Sequence, residues 1–557
     1  MCTEVPVKQL PERSSLDHLK KQAKDLLRLY KQGDPDAIAR FRHVLPGAAD
    51  KDDAQIVSLA LRLHDAQSCV AREYNFSSWN ELRSYVEAQV DHSQSRGERV
   101  MRWLWLVYAG DTAGTNSRAA PSVAARVLTE NPDLTQFDPY LACAVGDEEV
   151  LRKAVGADPT WVNHPGGLLN LPPLVAVTHS SLVRVPAFRS RLHQSARLLL
   201  EAGADPNQSV GSRWPPASLQ EPSDEHRLSA LYGAAGQNHD PELTKLMLGA
   251  GAHPNDGESL YHSLDDPACT RLLLEAGARI AGSNAFYRVF DLVDVELVEL
   301  LLSYGADPNE PAPGPPTSDF GSPLMWAIRR RRSAAHVEVL LRAGADPFAR
   351  TPSGMSAYRL ALQFGLTEVA ELLRQAGAAD DVSTQERFIA ACARGDETEA
   401  RNILSTYPGL LSTLSESQLR LLPDLTGEGA TEAVRLMVKL GWPIAVPGGD
   451  WQASALNLAV FRGDAELTGF LLEHGAHWTE KHGYGANVCG TLGWASCNEP
   501  IDGGDWPGCA RALVAHGMPR AQADKAMAGH VVIDGERYRF SQDVTTFLLG
   551  AHSGQWD

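Results

Sequence analysis

The chain has 557 residues, with 51 Lys+Arg against 69 Asp+Glu and a formal charge of −18. That acidic balance excludes general binding to nucleic acid or to anionic membranes, both of which need a net basic surface. No stretch approaches the ~18 uninterrupted apolar residues of a membrane span, and Met1–Pro6 opens no apolar signal segment. The cysteines (Cys2, Cys69, Cys143, Cys269, Cys392, Cys489, Cys497 and Cys509) form no CxxC pair, so a reduced cytoplasmic protein with unpaired thiols is expected.

Residues 14–90 carry no repeat and predict four helices: Ser15–Lys31, Pro35–Leu45, Asp52–Tyr74 and Ser78–Ala88. Ser78-Trp79-Asn80-Glu81 has the spacing of a capping box. The first helix is basic on its polar face (Lys20, Lys21, Lys24, Arg28, Lys31), either as the solvated face of a capping bundle or as a docking surface for anions. Asp91–Gly97 reads as a polar linker.

From Arg102 to Met518 two phrases alternate. One is Leu-Leu, a polar gap, Gly-Ala and often Asp-Pro-Asn, as in Leu199–Asn207 and Leu301–Asn309, with related copies at Gly251, Gly277, Gly344, Gly377 and Gly475. Glycine suits the left-handed residue after a helix C-terminus, and the proline cannot continue the helix. The other phrase precedes it by about twenty residues, as in Ser454–Asp464 and Arg387–Asp396. Small and apolar residues at helical spacing make a short helix, glycine breaks it, and aspartate caps the next. Asp396–Glu399 has capping-box spacing, and Pro241 stands at a first helical position.

Short helix, turn, longer helix, glycine exit and extended tip resemble the ankyrin repeat, whose motif is T-P-L-H-x-A-A-x-x-G-H. Gly344 and Gly377 lie 33 residues apart, the ankyrin period, while other intervals run from 26 to 48. The resemblance implies an all-α ankyrin-repeat solenoid of about twelve irregular repeats, covering roughly three quarters of the chain. The motif histidine, which in the family ties adjacent turns together, is replaced by Tyr232, Tyr261, Met325, Arg359, Ile389 or Asn457. The helical N-terminal region resembles that of bacterial ankyrin proteins and implies no specific activity.

Val531–Phe540 predicts a β-hairpin about Asp534-Gly535, followed by a helix over Ser541–Leu549. Together they read as a cap for the last repeat. The expected layout is an N-terminal helical bundle and linker over 1–98, the solenoid over 99–519 and the cap over 520–557.

In ankyrin folds the two residues between Ala-Ala and Gly, and the tip residues before the short helix, face the concave side. Carried over copy by copy, they are Arg329 and Arg330, Gln363 and Phe364, Ala393 and Arg394, Phe461 and Arg462, with tips at Phe320, Met355 and Trp451. Arginine interleaved with aromatics is the composition of binding hot spots. The bland reading of the same residues is a solvated Arg329–Arg332 helix end and phenylalanines folded onto neighbouring repeats. Trp326 and Trp494 stand where the motif has a buried leucine, so both are expected in the core.

Extra segments at 165–190, 208–226, 310–319 and 482–508 read as inserted loops, the second and third proline-rich and stiff. The last, with His482, Tyr484, Asp502, Asp505 and Trp506, is a candidate pocket rim. Its neighbourhood also holds His474, His477, Cys489, Cys497, Cys509 and His516, but the spacing is wrong for zinc, and neither metal nor cofactor is expected. No nucleophile elbow, P-loop, HExxH or dinucleotide fingerprint occurs. The composite expectation is a recognition scaffold holding a protein, peptide or anionic partner in an Arg/aromatic groove. The alternative is an enzyme or small-molecule-binding protein with a pocket between the groove and the 482–508 segment.

Overall fold

In a computed structural model, the described residues are 8–11, 15–59, 61, 63–88, 95–115, 118–214, 221–312, 314–501, 503–527 and 529–550. Cys2, linker residues 91–94, Pro215, Pro216, Pro313 and Asp502 lie outside them. The chain divides into two units, Met1–Arg279 and Ile280–Asp557.

The Gly-Ala phrases end helices as their chemistry requires. Gly305 and Gly475 take φ of +89° and +103°, where a Cβ would clash with the backbone. Aspartates then cap the longer helices: Asp147, Asp240, Asp396 and Asp464 accept from the backbone N–H groups of Val150, Leu243, Glu399 and Leu467. At Asp396 only half of the expected capping box forms, because the Glu399 carboxylate turns to Arg394.

The result is a run of antiparallel helix pairs. In the first unit pairs begin at Arg96, Pro139, Pro173, Ala230 and Ser259. In the second they begin at Ala285, Pro323, Ala357, Thr384, Leu421, Ala455 and Val488. The fold is therefore an all-α repeat solenoid of irregular, ankyrin-like units, with a helical bundle before it and a hairpin-and-helix cap after it.

Neighbouring repeats are joined at their tips by asparagine. The Asn309 amide donates to the Gly344 carbonyl at 2.9 Å and accepts the Asp346 N–H at 2.8 Å. Asn163 does the same to Gly203 and Asp205, Asn207 to Gly251 and His253, and Asn255 to Gly277 and Arg279. Each side chain thus satisfies one orphan carbonyl at a helix end and one exposed amide of the next repeat.

Where the motif histidine is missing, other side chains tie the repeats. Asn457 donates to the Glu480 carbonyl at 3.1 Å and accepts from Thr491 at 2.6 Å, while Arg359 pairs with Glu386 of the next short helix.

In the N-terminal bundle the expected Asp52–Tyr74 helix is two helices, Asp53–Ser58 and Leu63–Glu73. The Tyr30 hydroxyl sits at the carbonyls of Ile56 and Val57, at 2.9 and 3.1 Å, and caps the first of them. Ser78 caps Glu81 at 3.2 Å, but the Glu81 carboxylate reaches Ser77 instead of closing the box.

At the C-terminus Val531–Ile533 pairs antiparallel with Glu536–Tyr538 about Asp534-Gly535, both at positive φ, and with a third short strand, Gln522–Ala523. Val531 and Ile533 face inward, as do Val544 and Leu548 of the helix Gln542–Gly550, which packs on Trp506–Ala515.

Two of the segments expected as inserted loops contain helices. Residues 165–190 contain the short helix Pro173–Thr178, and 482–508 contain Val488–Asn498, each the first helix of a repeat. In 208–226, Ser209–Gly211 pairs with Arg227–Ser229 just beyond the segment, and Arg213 is buried with its guanidinium on the carbonyls of Thr112 and Leu169. Among the described residues no helix is long and apolar enough to cross a membrane.

Candidate functional site

The short helices of the second unit end in the residues singled out above, and the structure sorts them into two groups. Helix Pro323–Arg329 delivers Arg329, whose side chain is 4% exposed. Its guanidinium lies 3.1 Å from Asp424, 3.4 Å from Glu428 and 3.6 Å from Asp450. Arg330 donates to Asp450 at 2.6 Å, lies 3.4 Å from Glu428 and brings Nε to 2.9 Å from Asp291, outside hydrogen-bond geometry. Arg332 lies 3.8 Å from Glu428 and donates to the carbonyls of Arg330 and Leu292.

These arginines are desolvated, and the carboxylates answer that cost. Burial alone would lower the Arg330 pKa, but Asp450, Asp291 and Glu428 together hold it above its ordinary value. Arg332, with a weaker share of the same carboxylates, is lowered by burial. The rings complete the cluster: Arg329 lies 5.8 Å from Phe320 and 5.4 Å from Phe364, and Arg330 lies 4.3 Å from Trp326.

The expected open arginine groove is therefore corrected at this end. Arg329 and Phe364 are buried, Trp326 is core as expected, and Arg330 is committed to carboxylates of its own chain. Arg329, Arg330 and Arg332 share four carboxylates (Asp291, Asp424, Glu428, Asp450), and Asp291 also pairs with Arg288 at 3.3 Å, so these guanidinium groups are already engaged within the chain. Met355 and Gln363 are half-buried, and Arg394 pairs with Glu399 at 2.7 Å near the surface.

The second group is open. Trp451 contacts Phe461 (ring centroids 5.6 Å apart) and His482 (4.9 Å); Phe461 stacks on Trp494 (5.5 Å, 9° between planes), and His482 meets Tyr484 (5.8 Å). Trp494 is 50% exposed and Tyr484 83%. The strip is held from behind by Gly483 N–H donating to the Trp451 carbonyl at 2.9 Å, and burial lowers the His482 pKa. Arg462, next to Phe461, turns its guanidinium onto the Gly427 carbonyl at 2.9 Å.

Trp494 overturns the expectation of a core residue. In Val488–Asn498 a Cβ at Gly493 would meet the Arg539 carbonyl oxygen at 2.7 Å, so the glycine side takes the cap and the next residue faces out. Asp505 and Trp506 do not rim a pocket: Asp505 caps Gly508 N–H at 2.7 Å, and Trp506 is buried in the first turn that follows. His474 and His516 each bond the carbonyl four residues upstream, at helix ends.

The first unit holds a polar cluster the sequence did not suggest. Asp111 accepts from the Tyr232 hydroxyl at 3.2 Å and the Gln237 amide at 3.3 Å, positions 121 and 126 residues away. The buried His179 ring spans Thr112 Oγ1 (3.1 Å) and the Ser229 carbonyl (2.9 Å), which fixes its proton on Nε2. A π-helical turn, Gly233–Gln237, opens against it, and a Cβ at Gly233 would sit 2.3 Å from the His179 ring.

No family model matches this chain, and no curated protein matches it. Among solved structures, the ankyrin repeat domain of human ASB11 aligns over 42% of this chain and 98% of that chain, at 16% identity and a TM-score of 0.20. A score that low adds nothing to the helix pairs and tip contacts already described.

Proposed function

We propose that this protein is a recognition scaffold and that a protein or peptide partner docks on the strip formed by Trp451, Phe461, Trp494, His482 and Tyr484. The observation that carries the reading is the half-exposed Trp494 ring stacked on Phe461. Large rings held rigidly at a surface supply contact area with little side-chain entropy to lose, which is how hot spots work. The described cysteines are free thiols, six of them buried, which supports a reducing compartment such as the cytoplasm. An enzyme pocket under a 482–508 lid loses its main support, because Val488–Asn498 is a repeat helix.

A photo-crosslinking residue in place of Trp494 tests the reading, with one in place of Arg401 on the longer helix Glu397–Thr406 as control. In the source cells, a protein adduct from position 494 that is missing at 401 is the expected result. Equal labelling from both, or none from 494, overturns it.

A further inference from the structure

The rings along the short-helix ends of the second unit differ in what covers them. Upstream, Trp326 carries the Arg330 guanidinium at 4.3 Å, and Phe320 and Phe364 share Arg329. Downstream, among the described residues, no lysine or arginine head group lies over Trp451, Phe461, Trp494 or Tyr484. Arg462 is close enough in sequence to do so, but it is spent on Gly427. The fold thus shows the same ring chemistry twice, once with its cations in place and once without.

Charge points the same way. Residues 280–557 carry 22 Lys+Arg against 34 Asp+Glu. The arginines that would attract an anion are already paired with carboxylates of their own chain. A cationic segment gains from this field on approach, and an acidic one is repelled.

We propose, resting on the scaffold reading above, that the partner presents an extended, arginine-rich segment whose guanidinium groups stack on Trp451, Phe461 and Trp494 as Arg330 stacks on Trp326. Arginine suits the site better than lysine because its planar, weakly hydrated head lies flat on an indole or phenyl face.

Fluorescence anisotropy with the full chain tests this, using labelled decapeptides of alternating alanine with arginine, lysine or glutamate. The arginine peptide is expected to bind several-fold more tightly than the lysine peptide, and the glutamate peptide not at all. Trp494→Ala and Tyr484→Ala should each weaken the arginine peptide by ~3-fold or more, Trp494→Phe should keep most of the binding, and Arg401→Ala should change nothing. Tyr484 is 83% exposed, so its variant folds whatever becomes of Trp494→Ala. Equal binding by wild type and both alanine variants overturns the proposal. So do arginine and lysine peptides that bind alike and are both lost in high salt, and so does preference for the glutamate peptide. If the arginine peptide fails while crosslinking from position 494 still captures a partner, the partner class falls alone. If both fail, the scaffold reading falls with it.

Discussion

Arg329 and Asp424 meet at 3.1 Å although 95 positions and two intervening short helices separate them. In a stack whose units touch only their neighbours, such a contact has no place. Here the ends of the short helices converge, and Glu428 and Asp450 join the same guanidinium.

Removing the arginine takes the guanidinium partner from Asp424 in a desolvated site, while Glu428 keeps Arg330. Breaking a buried pair by deleting one partner costs ~3–5 kcal/mol, so Arg329→Ala should lower urea stability by that order. Arg394→Ala, which removes an exposed pair with Glu399, should stay within ~1 kcal/mol of wild type. Equal losses in the two variants would contradict the buried cluster.

At the tips, Asn309→Ala deletes two hydrogen bonds to the next repeat. The expected cost is ~1–2 kcal/mol. Hydrogen exchange should localise it: the Asp346 amide should exchange faster in the variant, while amides within Ala455–Arg462 stay as protected as before.

Acidification should destabilise the first unit through His179. Burial, the largest influence, lowers its pKa below the ordinary 6.5, despite the Ser229 carbonyl and Asp111 acting the other way. The unfolded chain therefore binds the proton first. Stability should be whole above pH ~6.5 and fall as the pH drops through that value towards the folded pKa. A melting temperature followed from pH 7.5 to 5 should decline less in His179→Gln than in wild type.

Gly463 closes the short helix Ala455–Arg462 at φ +69°, and a Cβ there would stand 2.6 Å from Gly504 Cα. Gly463→Ala combines backbone strain with a clash against backbone that cannot give. It should cost more than the ~1–2 kcal/mol of the left-handed conformation alone. Gly475→Ala, with φ +103° and open space around it, isolates the strain component in the same thermal measurement.

Much of the fold was legible because helix ends are written locally. The Gly-Ala exits, the aspartate caps and the Asp534-Gly535 turn each depend on a few adjacent residues. The site was legible only in part, because its chemistry joins distant positions. Phe320, Arg329, Trp451 and Phe461 were found by their place in the repeat. The fate of Arg329 was set by Asp424, Glu428 and Asp450, whose sequence trace is only an i,i+4 acidic pair at the end of Leu421–Gly427 and an acid before the Trp451 tip. Trp494 was misread because its helix is apolar on all sides, so periodicity could not say which face the cap would take.

The cluster around Arg329 also constrains how this chain can change. A repeat array ordinarily tolerates gain or loss of a module, since each junction resembles the last. Between Pro323 and Asp450 it does not, because inserting or deleting one helix pair would carry Asp424 and Asp450 out of reach of the arginines they neutralise. A change of copy number within this stretch would break the cluster, and the same holds wherever a side chain reaches past its neighbouring module, as Tyr232 does to Asp111.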